Sequence, residues 1–104
     1  MSCLARSVLG LVFALLRRAT VETLNRDDLT ELMRLLRSLS MVIRQETTVS
    51  YDVSRLSNLL DQSGIFQTGK ISVIDSQAAA EIAQAVMLRL SDDDIAGETQ
   101  SQSQ

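Results

Sequence analysis

The pattern of apolar and polar positions predicts that this chain is helical over most of its length. In three segments the apolar residues recur at spacings of three and four, which is the period of one face of an α-helix. These segments cover about residues 3–20, 26–62 and 76–90. The sequence therefore predicts an all-α fold with three main helices. It also predicts that residues 1–90 form a single helical domain and that residues 91–104 form a polar tail.

The central segment carries the most regular apolar pattern. Asn25 is a suitable N-cap, and Gly64 stands where a glycine commonly ends a helix. Between them runs a heptad-like seam that only Glu46 interrupts. Its apolar members are Leu32, Leu35, Leu39, Val42, Val49, Val53, Leu56 and Leu60. Such a seam needs a second helix along its length. We therefore predict that the chain forms a helical-bundle homodimer and that these eight residues form the dimer interface.

One stretch within the central segment is less favourable for a helix. "ETTVSYDV", residues 46–53, is rich in β-branched residues, which have reduced helix propensity. Two alternatives remain open at this point. Residues 26–62 form either one continuous helix or two nearly coaxial helices with a break near residues 47–51. The unbroken phase of the seam favours a continuous or nearly coaxial arrangement.

The front segment, residues 3–20, is an amphipathic helix with a wide apolar face and arginines on the narrow polar face. Three interpretations compete: a core helix of a bundle or dimer, a helix that lies on a membrane surface, and a mitochondrial-type presequence. The apolar stretch is too short to cross a bilayer, which needs about 20 residues. Arg17 and Arg18 follow it directly, which is atypical of a cleaved secretory signal.

The last third of the chain predicts a short connection, a third helix and a tail. "GIFQTGKISVID", residues 64–75, is typical of a loop or a small hairpin with its turn at Gly69. Asp75 or Ser76 then caps a helix that runs to about Leu90. Its apolar face comprises Ala79, Ile82, Ala83, Val86 and Leu90. Beyond this helix the chain is polar and acidic, so we predict a disordered tail over residues 91–104.

The composition excludes most catalytic chemistry. The chain has no histidine and one cysteine, Cys3. Zinc sites of the usual kinds, Ser-His-Asp triads and Cys-His pairs are therefore excluded, and no glycine-rich phosphate loop is present. The acidic run Asp92–Asp94 lies in the tail, where a solvated charge run is the better interpretation. We predict a protein that is not an enzyme and has no cofactor or metal, in the reducing cytoplasm. The front segment keeps membrane-associated and mitochondrial locations open.

The charges of the chain are unevenly placed, and this points to one binding hypothesis. Arginines precede the first acidic residue, Glu22, whereas the last third is acidic. On a continuous central helix, five arginines share the face opposite the seam, over roughly 40 Å at about 1.5 Å per residue. They are Arg26, Arg34, Arg37, Arg44 and Arg55. The stripe is either an ordinary solvated face or a surface for double-stranded RNA, which is recognised mainly by shape and backbone contacts.

This plan resembles the small nodavirus silencing suppressors. The likeness rests on a front helix, a long helix with basic residues, a short third helix and a polar tail, with a short local similarity in "LNRDDLTELMRLL", residues 24–36. That family forms helical homodimers that lay a long helix along double-stranded RNA. The resemblance implies a viral RNA-binding protein, but it transfers no binding residue to this chain.

The sequence leads to three functional hypotheses. The first is a small regulatory or accessory protein that acts by helix-mediated association as a homodimer, with a protein partner that the sequence does not name. The second is a viral protein that binds double-stranded RNA through the arginine stripe. The third is peripheral membrane binding through residues 3–20.

Overall fold

The computed structural model describes the backbone of residues 2–43 and 45–102 and the side chains of residues 5–43 and 45–90. Within these residues the chain forms helices and no strand, which confirms the predicted all-α fold. The helices are α1 (Ser2–Val21), α2 (Arg26–Val42), α3 (Thr47–Ser63), α4 (Ile65–Thr68) and α5 (Val73–Gln102). The predicted front helix corresponds to α1.

The central segment is two helices, and its break lies slightly earlier than the sequence predicts. The backbone leaves the helical conformation at Ile43 (φ −72°, ψ 125°) and is extended again at Glu46 (φ −94°, ψ 125°). Both residues therefore stand outside the helices, and α3 begins at Thr47 among β-branched residues that favour extended backbone. The alternative of one continuous helix over residues 26–62 is wrong.

The two central helices are also antiparallel, so the alternative of nearly coaxial pieces is wrong. The short helix α4 follows the C-terminal end of α3, and its Phe66 lines a groove together with Arg26 and Leu29 from the first turn of α2. The Leu24 N–H, just before α2, donates to the Gly69 carbonyl at 2.8 Å. The end of α3 thus lies beside the start of α2, and the chain reverses direction between them.

The four longer helices pack around one core. α1 packs against α2 and α5, and α3 packs against α5, whereas contacts between α2 and α3 are less extensive. The α5 helix runs antiparallel to α1, because the Ile71 N–H just before α5 donates to the Ala19 carbonyl near the end of α1, at 3.3 Å. The largest fully buried side chains are Leu9, Val12, Leu16, Leu32, Leu39, Leu56, Leu60, Ile65 and Val86. Aliphatic residues from every helix therefore fill the interior.

Side-chain caps start α2 and α5. The Asp28 N–H donates to Asn25 Oδ1 at 2.8 Å, which confirms Asn25 as the N-cap of α2. At α5 the Asp75 N–H donates to Ser72 Oγ at 3.0 Å, and the Ser72 hydroxyl donates to Asp75 Oδ2 at 2.8 Å. This reciprocal pair resembles a capping box, and it starts the helix at Val73, earlier than the predicted Asp75 or Ser76.

The connection between α3 and α5 is a helical turn. A hairpin over residues 64–75 is wrong, because residues 65–68 form α4 and the structure has no strand there. Gly64 (φ 81°) and Gly69 (φ 73°) adopt the left-handed conformation on either side of α4. Ile65 and Ile71 are buried at this end of the core. Gly69 is the turn residue, as predicted, but the turn joins helices.

Replacing Gly69 by alanine should destabilise the fold strongly. A Cβ there would lie 2.5 Å from the Leu24 carbonyl oxygen and 2.9 Å from Thr23 Cγ2, at a positive φ. We expect a loss of about 2 kcal/mol or more in the free energy of unfolding, measured by urea denaturation.

Two other glycine variants are matched controls for this prediction. Gly64→Ala meets only an atom at 4.0 Å, so it should cost about 1 kcal/mol for its left-handed backbone alone. Gly10→Ala meets nothing within 4 Å and should stabilise α1 by up to about 1 kcal/mol. Equal effects at Gly64 and Gly69 would contradict the proposed clash with Leu24.

The predicted third helix is present in α5, and four of the five residues of its predicted apolar face are buried: Ala79, Ala83, Val86 and Leu90. Its backbone continues to Gln102, past the predicted end near Leu90. The side chains of residues 91–104 lie outside the described residues, and the disordered tail stays a prediction.

Candidate interaction surface

The outer face of α2 carries a straight line of exposed side chains. Their spacings of three and four residues place them on one side of the helix. They are Arg26, Thr30, Met33, Arg37 and Met41, here named the α2 ridge. The ridge combines cations with large apolar groups, and Met41 is 85 % exposed. Arginine and methionine are both enriched in protein–protein interfaces, whereas lysine is depleted there.

Some of the arginines on α2 form ion pairs within the described part of the chain, and others do not. The Arg34 Nε donates to Glu31 Oε2 at 3.1 Å, and a second bond joins the same two groups. The bond from Arg34 holds the pKa of the Glu31 carboxyl below its ordinary value, and the same contact raises the pKa of Arg34. Arg26 and Arg37 form no side-chain ion pair within the described residues. Their charges are therefore available to a partner.

A groove lies beside the N-terminal half of the α2 ridge. It has a volume of about 410 Å³ and is open to solvent. Its lining is about equally polar and apolar, and Arg26 and Thr30 of the ridge are part of it. The apolar lining residues are Leu24, Leu29, Met33 and Phe66. The groove can therefore accept an aliphatic side chain from a molecule that lies along the ridge.

The outer face of α5 presents a second exposed line with a different character. It comprises Ile74, Gln77, Glu81, Gln84 and Leu88, here named the α5 ridge. Ile74 is 78 % exposed and Leu88 is 60 % exposed. Glu81 lies midway between them and forms no ion pair within the described side chains. The α5 ridge thus has an acidic centre between two apolar ends.

The predicted arginine stripe does not form one line. Its members on α2 are Arg26, Arg34 and Arg37, and all three are exposed. Arg55 is exposed on α3, whereas Arg44 lies outside the described residues. Because α2 and α3 are antiparallel, the continuous stripe of roughly 40 Å that a single helix would give is wrong.

The position of Arg55 separates it further from the arginines of α2. Asp52, three residues earlier on α3, contacts Arg89 of α5. Residues three apart share a side of a helix, so Arg55 lies on the α5 side of α3 rather than beside α2. A duplex that bound the arginines of α2 would therefore not contact Arg55 along the same line.

The apolar seam that the sequence assigns to a dimer interface is covered by the chain itself. Seven of its eight members are buried within a single copy: Leu32, Leu35, Leu39, Val49, Val53, Leu56 and Leu60. Val42 is partly buried against the same core. α1 packs against α2 and α5 packs against α3, so both halves of the seam lie in one interior. These residues therefore offer no free surface for a second copy, and self-association must use other side chains.

The wide apolar face of α1 also belongs to the core. Its buried members are Ala5, Val8, Leu9, Val12, Leu16 and Ala19. This placement fits the core-helix interpretation of residues 3–20 and leaves mainly Leu11 and Val21 as large exposed apolar groups on α1. No helix in the described part of the chain is long and apolar enough to span a bilayer.

The sequence did not predict the ion pair between Asp52 and Arg89. Asp52 is the only charged side chain classed as buried among residues 5–43 and 45–90, and it forms an ion pair with Arg89. Asp52 lies in the second turn of α3, next to Val53 of the seam. An acidic residue on the buried side of an amphipathic helix is the signal that could have indicated a cationic partner.

The described residues contain no group of three or more His, Cys, Asp or Glu side chains that could hold a metal ion. Comparisons of the chain with models of known protein families, with characterised proteins and with solved structures found no match.

Proposed function

We propose that the protein is a small non-enzymatic accessory protein that acts by helix-mediated association, in its simplest form as a homodimer. One observation carries this proposal: large apolar side chains remain exposed on the outer lines of α2 and α5 although the core is otherwise well filled. Met41, Ile74 and Leu88 are each at least 60 % exposed. Large apolar side chains that stay exposed among polar ones are available to a protein partner.

The composition of the α2 ridge supports protein binding over a purely electrostatic role. Methionine side chains adapt their shape to an apolar partner and gain little from a phosphate backbone. Met33 and Met41 alternate with Arg26 and Arg37 along the ridge. Arginine also packs its guanidinium against apolar and aromatic groups, so it contributes area as well as charge. A protein helix can use both properties of this line.

Binding of double-stranded RNA is the second candidate, and the unpaired, exposed Arg26 and Arg37 favour it. Their guanidinium groups could contact phosphates without first breaking an ion pair. The acidic Asp27 and Glu31 on the same helix oppose a polyanion, and Arg34 is already bound to Glu31. The association hypothesis therefore has the stronger support.

Analytical ultracentrifugation of the full chain, with and without a short RNA duplex, tests both candidates. We expect a mass that rises with protein concentration towards twice the monomer value, and no comigration with RNA at moderate salt. Duplex binding that weakens steeply as salt rises would favour the RNA candidate instead. A chain that stays monomeric at all accessible concentrations would contradict the homodimer.

A further inference from the structure

We propose that the α2 ridge of one copy binds the α5 ridge of a second copy of this chain, with Arg37 opposite Glu81. The inference rests on the proposed function, because it names the surfaces through which the protein self-associates. It replaces the buried seam with two exposed surfaces of complementary charge and matching apolar groups.

The α2 ridge and the α5 ridge carry opposite charges at Arg37 and Glu81. Two other arginines form ion pairs within the chain: Arg18 contacts both Glu22 and Asp28, and Arg34 contacts Glu31. Arg37 and Glu81 are both exposed and form no ion pair within the described residues. Arg37 is one of the two cations of the α2 ridge, and Glu81 is the single charge of the α5 ridge. A contact between the ridges would bring the two together.

Apolar groups flank Arg37 and Glu81 on their ridges. Met33 and Met41 stand one helical turn on either side of Arg37. On α5, Ile74 and Leu88 stand two turns on either side of Glu81. At about 1.5 Å per residue, Met33 and Met41 lie about 6 Å from Arg37, and Ile74 and Leu88 about 10 Å from Glu81. The apolar groups therefore bracket the ion pair from both sides when the ridges align.

The groove beside α2 fits this alignment. With Glu81 opposite Arg37, one end of the α5 ridge reaches about 10 Å along α2, to the level of Thr30. The groove lined by Leu29, Met33 and Phe66 lies at that level. An Ile74 or Leu88 side chain from the second copy can therefore enter the groove, while the other end of the α5 ridge passes near Met41.

The two ridges cannot make this contact within one molecule. α2 packs against α1, and α5 packs against α1 and α3, while both ridges face solvent. The contact therefore joins different surfaces of two copies. Such a contact closes into a dimer only when both copies use both ridges at once, and otherwise it extends into larger assemblies.

Charge exchange between the ridges tests the proposal on the full chain. Arg37→Glu places two acids opposite each other, and Glu81→Arg places two cations opposite each other. We expect each single variant to weaken self-association by about tenfold or more in sedimentation equilibrium. The double variant Arg37→Glu with Glu81→Arg should recover the wild-type dissociation constant. An equimolar mixture of the two single variants should recover it as well, because each supplies the charge that the other needs.

Arg55→Glu is the matched control, since it makes the same charge change at an exposed site on α3 that belongs to neither ridge. It should leave association unchanged. Circular dichroism of every variant should show wild-type helix content, because all substituted side chains are exposed.

The possible results separate this inference from the proposed function. Wild-type self-association that neither single variant weakens, or that the double variant fails to recover, would overturn the ridge contact and leave the proposed function standing. A wild-type chain that stays monomeric would overturn both. An effect of Arg55→Glu equal to that of Arg37→Glu would show that net charge, rather than the ridge contact, controls association.

Discussion

Leu39→Asp should unfold the chain rather than release a folded monomer from a dimer. Leu39 lies on α2 with a relative exposure of 0 %, inside the core that the chain builds for itself. An unpaired carboxylate there loses its hydration without gaining a partner. We expect a loss of at least about 4 kcal/mol, which is most of the stability of a small domain. Far-UV circular dichroism and urea denaturation measure it.

Met41→Asp is the control for Leu39→Asp, because it replaces an apolar side chain of the same helix that is 85 % exposed. It should change the free energy of unfolding by no more than about 1 kcal/mol. A Leu39→Asp variant that stays helical and monomeric, from a wild type that dimerises, would contradict the intramolecular seam. That result would instead place Leu39 in an interface between copies.

Arg89→Met should destabilise the protein by about 3 kcal/mol, because it leaves the buried Asp52 carboxylate without its ion-pair partner. The Asp52 side chain is 8 % exposed, whereas that of Arg89 is 42 % exposed. The effects of the two single substitutions are therefore unequal. Asp52→Asn leaves a guanidinium that can turn to water, and it should cost only about 1 kcal/mol. Urea denaturation at neutral pH measures both variants.

The double variant Asp52→Leu with Arg89→Met completes the test. Replacing both members of a buried ion pair by apolar groups is often neutral, so it should recover most of the stability lost in Arg89→Met. Arg34→Met is the exposed control, since its pair with Glu31 lies in solvent, and it should leave the urea midpoint unchanged. Equal losses for Arg89→Met and Asp52→Asn would contradict the buried, one-sided character of the pair.

Local signals in the sequence accounted well for where helices begin and end. Asn25 caps α2, and Gly64 ends α3 in a left-handed conformation, as the residue types predict. The sequence predicts the start of α5 too late, because the two residues after Ser72 are β-branched and have weak helix propensity. The reciprocal hydrogen bonds between Ser72 and Asp75 outweigh that propensity, and the helix begins at Val73. Local signals therefore indicated the start of α2 and the end of α3, but not the start of α5.

The candidate surfaces were harder to predict. The α2 arginines were identified from the helical period, and three of them are exposed as expected. The sequence predicted a double-stranded RNA partner from a continuous stripe of arginines on one helix. The structure has two helices in place of that helix, so the stripe is not continuous. Helical periodicity alone does not indicate the α5 ridge, because Ile74 and Leu88 are apolar residues on the exposed side of the helix. Exposed apolar side chains become informative only when the buried set is known.

The sequence by itself determined that the chain is helical, which face of each helix leaves water and which residues cap the ends. These properties follow from periodicity and from short-range hydrogen bonds, and both can be read along one segment. Only the tertiary structure decided what covers the apolar seam. The backbone is extended at Ile43 and Glu46, where the chain reverses, and Leu32 and Leu39 are buried within the core of the same chain, in which α2 packs mainly against α1. Periodicity identifies an apolar face but carries no information on whether the same chain or another one packs against it.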